Sequence, residues 1–126
     1  MGIFGSRGNP TAVRQGIAYD QIRDKLDSAF TSVFSEEGKK TVLYYLTEKY
    51  SLTLERASRD PEKLEKSLTS LLGEVGWLAV KRRILQEIYG SDVHLEKMSV
   101  EASSLGDAFG FLRSVVSAMN RELVLF

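Results

Sequence analysis

The chain has 126 residues, enough for one domain with a hydrophobic core and too few to expect two. Its 17 Lys and Arg balance 17 Asp and Glu, so no net field gathers polyanions, and the absence of Cys excludes disulfides, thiolate metal sites and cysteine nucleophiles. No apolar run approaches the roughly 20 residues needed to cross a bilayer, and the composition as a whole predicts a cytoplasmic globular protein.

Residues 1 to 16, with four glycines and Pro10, read as a flexible leader. From Tyr19 the apolar positions Ile22, Leu26, Ala29, Phe30 and Val33 recur at steps of three and four, predicting an amphipathic helix over 17–34. Ser35 is a suitable N-cap for a second helix, whose first turn carries Glu36 and Glu37 at the positive end of the dipole. Val42, Leu43, Leu46 and Tyr50 share its inward face; Tyr45 lies at the margin and Tyr44 points outward as a candidate partner contact. Leu52 and Leu54 alternate briefly, like a strand with nothing to pair with, and are expected to form an extended turn.

Asp60-Pro61 marks a helix start, an acidic cap followed by proline at the first helical position. Leu64, Leu68, Leu71 and Leu72 form its buried stripe, Gly73 and Gly76 loosen the chain, and a fourth helix runs on to Gly90. On that helix Trp77, Ile84 and Ile88 share one line, so the tryptophan belongs to the core, while Arg82 and Arg83 point away from it. Lys81 falls inside the apolar stripe. Its stem either lies along the core with the ammonium reaching water, or the ammonium is half-buried and held by a carboxylate or an acidic ligand.

After a connector (residues 91 to 97), Met98, Ala102, Leu105, Phe109, Leu112, Val116, Met119 and Leu123 follow an unbroken 4-3-4-3 spacing, a heptad seam on a long C-terminal helix over 98–126. A second apolar band, with Phe111 and Val115, runs beside it, so the helix is expected to be covered on two sides, one of them by a second chain. The expected fold is all-α: a four-helix core over 17–90 and an oligomerisation helix. The expected interface residues are Leu105, Phe109, Phe111, Leu112, Val115, Val116, Met119 and Leu123.

No catalytic constellation, cofactor motif or metal site emerges. "SEEGKKT" ends like a phosphate-binding loop but lacks the earlier glycine, having Val33 there, and His94 is a lone histidine in a polar connector. The leading reading is therefore a non-enzymatic homodimeric interaction module. One alternative is a DNA-binding regulator using Lys39, Lys40, Lys81, Arg82 and Arg83, although the even charge balance disfavours nucleic acid as a partner. The other is a small-molecule sensor with a pocket around Trp77, Tyr45 and Lys81.

The order of parts over about residues 34–90 (Leu43-Tyr44-Tyr45-Leu46, then Leu52 and Leu54, Pro61, Leu68, Leu72-Gly73 and a closing helix with Ile84) resembles small archaeal helical domains of the Nitrososphaera output-domain type. This chain has Val80-Lys81 where that family usually has Ile-Glu. The resemblance implies a signal-output or interaction module, with a signalling protein as partner, and implies no catalytic residues.

Overall fold

The computed structural model describes residues 10–90 and 94–125, with side chains over 16–90 and 94–119. Among these residues every secondary-structure element is a helix: α1 (Pro10–Tyr50), α2 (Leu54–Arg59), α3 (Pro61–Tyr89), α4 (Lys97–Ala102) and α5 (Leu105–Leu125). The all-α expectation holds, with different partitions. Helix begins at Pro10, inside the expected leader, and the expected turn at Leu54 is the start of α2. The hydroxyl of Thr53 accepts a hydrogen bond from Arg56 N at 3.2 Å, an N-cap that favours a helical turn over an extended one.

α1 and α3 are each two arms joined at one non-helical residue. In α1 it is Ser35 (φ 67°, ψ 174°), and in α3 it is Gly73 (φ 80°, ψ 170°). Both lie in a backbone region that is essentially reserved for glycine. Ion pairs show how far the arms turn. In a straight helix Asp27 and Lys39 would stand about 18 Å apart along the axis, and Glu65 and Lys81 about 24 Å. Instead Lys39 Nζ lies 2.9 Å from Asp27, and Lys81 Nζ lies 3.9 Å from Glu65. Each long helix therefore folds back at its break. Ser35 caps the arm it begins, its hydroxyl accepting from Gly38 N at 3.4 Å.

The arms enclose one core, in which Ile22, Leu26, Phe30, Leu46, Leu64, Leu68, Val80, Ile84 and Leu85 are fully buried. α5 completes it, lying against both α1 and α3. This corrects the expected C-terminal helix in two ways. It breaks between Ala102 and Leu105, where Ser103 Oγ donates to the Ser99 carbonyl at 2.6 Å and the Ser104 hydroxyl accepts from Asp107 N at 3.3 Å. Met98 and Ala102 are therefore off the line of α5, and both are exposed. Moreover, Leu105, Phe109, Leu112 and Val116 are buried inside the single chain. Residues expected to anchor a dimer thus close the chain's own core.

Candidate functional site

Among the described residues Lys81 is the one buried charged side chain, 3% exposed. The cause is its position on the second arm of α3, flanked by Trp77, Val80, Ile84 and Leu85, which that arm must turn inward. An ammonium without water or a counter-charge is costly at such a place. The fold supplies Glu65 from the first arm, at 3.9 Å, longer than a hydrogen bond.

Beside this pair a cleft of about 450 Å³ opens at the bend. Glu65 and Thr69 line it from the first arm, Glu74, Trp77, Leu78 and Lys81 from the second, and Glu101 from α4. Thr69 is occupied locally, its hydroxyl donating to the Glu65 carbonyl at 2.7 Å. Glu74 and Glu101 make no ion pair among the described residues. With Glu65, Glu74 and Glu101 against a single lysine in its lining, the cleft is acidic and suits a cationic group better than an anion. No three His, Cys, Asp or Glu among the described residues are grouped so as to hold a metal ion.

The structure brings Trp77 and Lys81 together, as the sensor reading requires, and does not bring Tyr45 to them. Tyr45 does not line the cleft; its ring packs edge-on against that of Tyr44, with centroids 5.5 Å apart, and both side chains are exposed. Sequence reasoning missed Glu65, Thr69, Glu74 and Glu101. Glu65 stands 16 positions before Lys81, a separation that means contact only once Gly73 is known to be a reversal.

Of the basic residues a nucleic-acid surface would use, Lys81 is buried. Lys39 is bridged to Asp27 and to Glu36 (3.2 Å), and Arg83 is held by Glu87 at 2.8 Å; Lys40 and Arg82 are exposed.

Of the expected interface, Phe111 (46% exposed) and Met119 (57% exposed) lie on the outer face of α5, with half-buried Val115 between them. Tyr89 from α3 joins them, its ring centroid 5.0 Å from that of Phe111. The side chain of Leu123 lies outside the described residues. Among the described residues no helix is long and apolar enough to cross a membrane. No protein-family model matches the chain, and neither a curated protein nor a solved structure is similar to it.

Proposed function

We propose that the chain is a non-enzymatic, cytoplasmic interaction module of signal-output type, working as a homodimer through the outer face of α5. The observation that carries this reading is the strip Phe111, Val115 and Met119, apolar at successive four-residue steps and extended sideways by Tyr89. Such an i±4 ridge fits the grooves of an identical helix at a crossing angle of about −50°, and a two-fold axis makes it complementary to itself. Covering the exposed half of each large side chain contributes about 1 kcal/mol apiece, counted twice in a symmetric pair. The resemblance over residues 34–90 supports an output role, and a signalling protein docking on the same strip is the competing occupant.

Light scattering tests the reading. The full chain is expected at twice its monomer mass, and Phe111→Glu with Met119→Glu is expected to give folded monomers, since both side chains are exposed in the single chain. A full-length monomer at every concentration overturns it.

A second reading, a small-molecule sensor, is favoured by the buried Lys81 at the end of an open acidic cleft. The DNA-regulator reading draws little support, because Lys39, Lys81 and Arg83 are engaged with carboxylates inside the chain.

A further inference from the structure

The two bends are copies of one another. Residues 24–38, "DKLDSAFTSVFSEEG", align without a gap to residues 62–76, "EKLEKSLTSLLGEVG", at an offset of 38 positions. Six of the fifteen pairs are identical: Lys25 with Lys63, Leu26 with Leu64, Thr31 with Thr69, Ser32 with Ser70, Glu36 with Glu74 and Gly38 with Gly76. The structure pairs the same positions. Leu26 and Leu64 are fully buried, as are Phe30 and Leu68. The Thr31 hydroxyl donates to the Asp27 carbonyl at 3.0 Å as that of Thr69 does to Glu65. Ser35 and Gly73, at equivalent positions, carry the two breaks. Helical periodicity alone repeats burial; it does not repeat a reversal, a side-chain bond and a glycine in register.

Each half is therefore a control for the other. In the first, Asp27 and Glu36 together hold one ammonium, that of Lys39, at 2.9 and 3.2 Å. In the second, the equivalent carboxylates persist as Glu65 and Glu74, but the residue equivalent to Lys39 is Trp77. Lys81, equivalent to Leu43 and one turn further on, reaches only Glu65, and at 3.9 Å. The cleft is lined by Glu65 and Glu74, whose equivalents in the first half are bridged by Lys39.

We propose that this cleft binds a small primary alkylammonium, whose nitrogen takes between Glu65 and Glu74 the place that Lys39 Nζ takes between Asp27 and Glu36. Glu101 supplies a further acceptor, and the Trp77 indole offers an apolar, cation-tolerant wall for the alkyl stem. Lys81 sets the affinity from below, because its ammonium competes for Glu65. The proposal rests on the sensor reading and is independent of the dimer.

The test is a titration of the full chain with n-butylammonium chloride, and separately with sodium butyrate, followed by the indole N–H resonance of Trp77, the chain's one tryptophan. Butylammonium is expected to shift that resonance saturably and butyrate to leave it in place. Glu74→Gln, at an exposed side chain, is expected to weaken binding about tenfold. Lys81→Met, which keeps the buried stem, is expected to tighten it several-fold. No saturable shift with butylammonium, or an unchanged affinity in Glu74→Gln, overturns the proposal. Saturable binding of butyrate that Lys81→Met abolishes overturns it too while keeping a sensor, with the cleft an anion site; silence with both probes removes the sensor reading as well.

Discussion

The bend at Ser35 and the bend at Gly73 share a backbone and differ in what closes them. At the first, one lysine satisfies two carboxylates and its side chain is only 11% exposed; at the second, the same carboxylate positions flank an open cleft with a tryptophan on its wall. A repeated structural element whose carboxylates are bridged by a lysine in one copy and line a cleft in the other separates what the fold requires from what it does not. The reversal, the glycine three residues later and the threonine bond occur in both copies and belong to the architecture. The exchange of Lys39 for Trp77, and of Leu43 for Lys81, does not follow from the architecture, and there a function has room to sit.

The largest effect is expected at the support common to both halves. Phe109 on α5 is 2% exposed, in the core that α1 and α3 share, whereas Phe111 is half out of it. Phe109→Ala is expected to cost about 3–5 kcal/mol in urea unfolding and Phe111→Ala about 1–2 kcal/mol, from its packing on Tyr89 and the proposed dimer contact. Equal losses would mean that α5 is not seated as described. Removing α5 altogether should unfold both halves, so a chain ending at Gly90 is expected to lack cooperative unfolding.

A smaller effect is expected at the two matching glycines. A Cβ on Gly76 would lie 2.9 Å from that of Leu72, and one on Gly38 3.0 Å from that of Phe34. Both clashes arise because the reversal brings the residue before the break against the third residue after it. Gly76→Ala and Gly38→Ala should each destabilise by about 1–2 kcal/mol, against the usual gain of Ala over Gly in a helix. Stabilisation by either would show that its bend is looser than its twin.

The smallest effect sharpens the difference between the copies. The hydrogen bond from Lys39 to Asp27, assisted by Glu36 and opposed by partial desolvation, holds the Lys39 ammonium above the ordinary lysine value of 10.5. A group raised on folding stabilises fully below its unfolded value, and that contribution is lost as the pH climbs through the folded one. The first bend should therefore weaken only above about pH 10.5, and Lys39→Met should remove that part of the alkaline decline in the urea midpoint. An identical decline in Lys39→Met and the parent would place the titrating group elsewhere.

Much of this architecture was legible in the residues. Ser35 and Gly73 stood out as a cap and a loosening point, Asp60-Pro61 as a helix start, and Lys81 as a cation out of place on an apolar stripe. The 4-3-4-3 spacing of Leu105, Phe109, Leu112 and Val116 marked a buried face correctly. Periodicity reports that a face is covered, however, and cannot say whether the cover is the same chain or another; here α1 and α3 provide it. The extent of the reversals was hidden for a related reason. A serine in a backbone region that suits glycine leaves no compositional trace of the turn between Asp27 and Lys39, and Gly73 marks a loosening point without fixing a reversal that joins Glu65 to Lys81. Aligning residues 24–38 with 62–76 reveals the repeat, but the contact of Lys81 with Glu65 does not follow from it, because Lys81 aligns with Leu43.

The claim that both bends are one structure is tested most directly by exchanging their hinge residues and measuring urea unfolding. Ser35 has φ 67° and Gly73 φ 80°, and a side chain in that region costs about 1–3 kcal/mol. Nothing lies within 4 Å of a Cβ built on Gly73, so the backbone alone sets the penalty there. Gly73→Ser is expected to destabilise by about 1–3 kcal/mol, and Ser35→Gly to stabilise by about 1 kcal/mol after the weaker glycine cap is allowed for. Shifts of opposite sign would support two copies of one reversal. A neutral Gly73→Ser, or a destabilising Ser35→Gly, would contradict it.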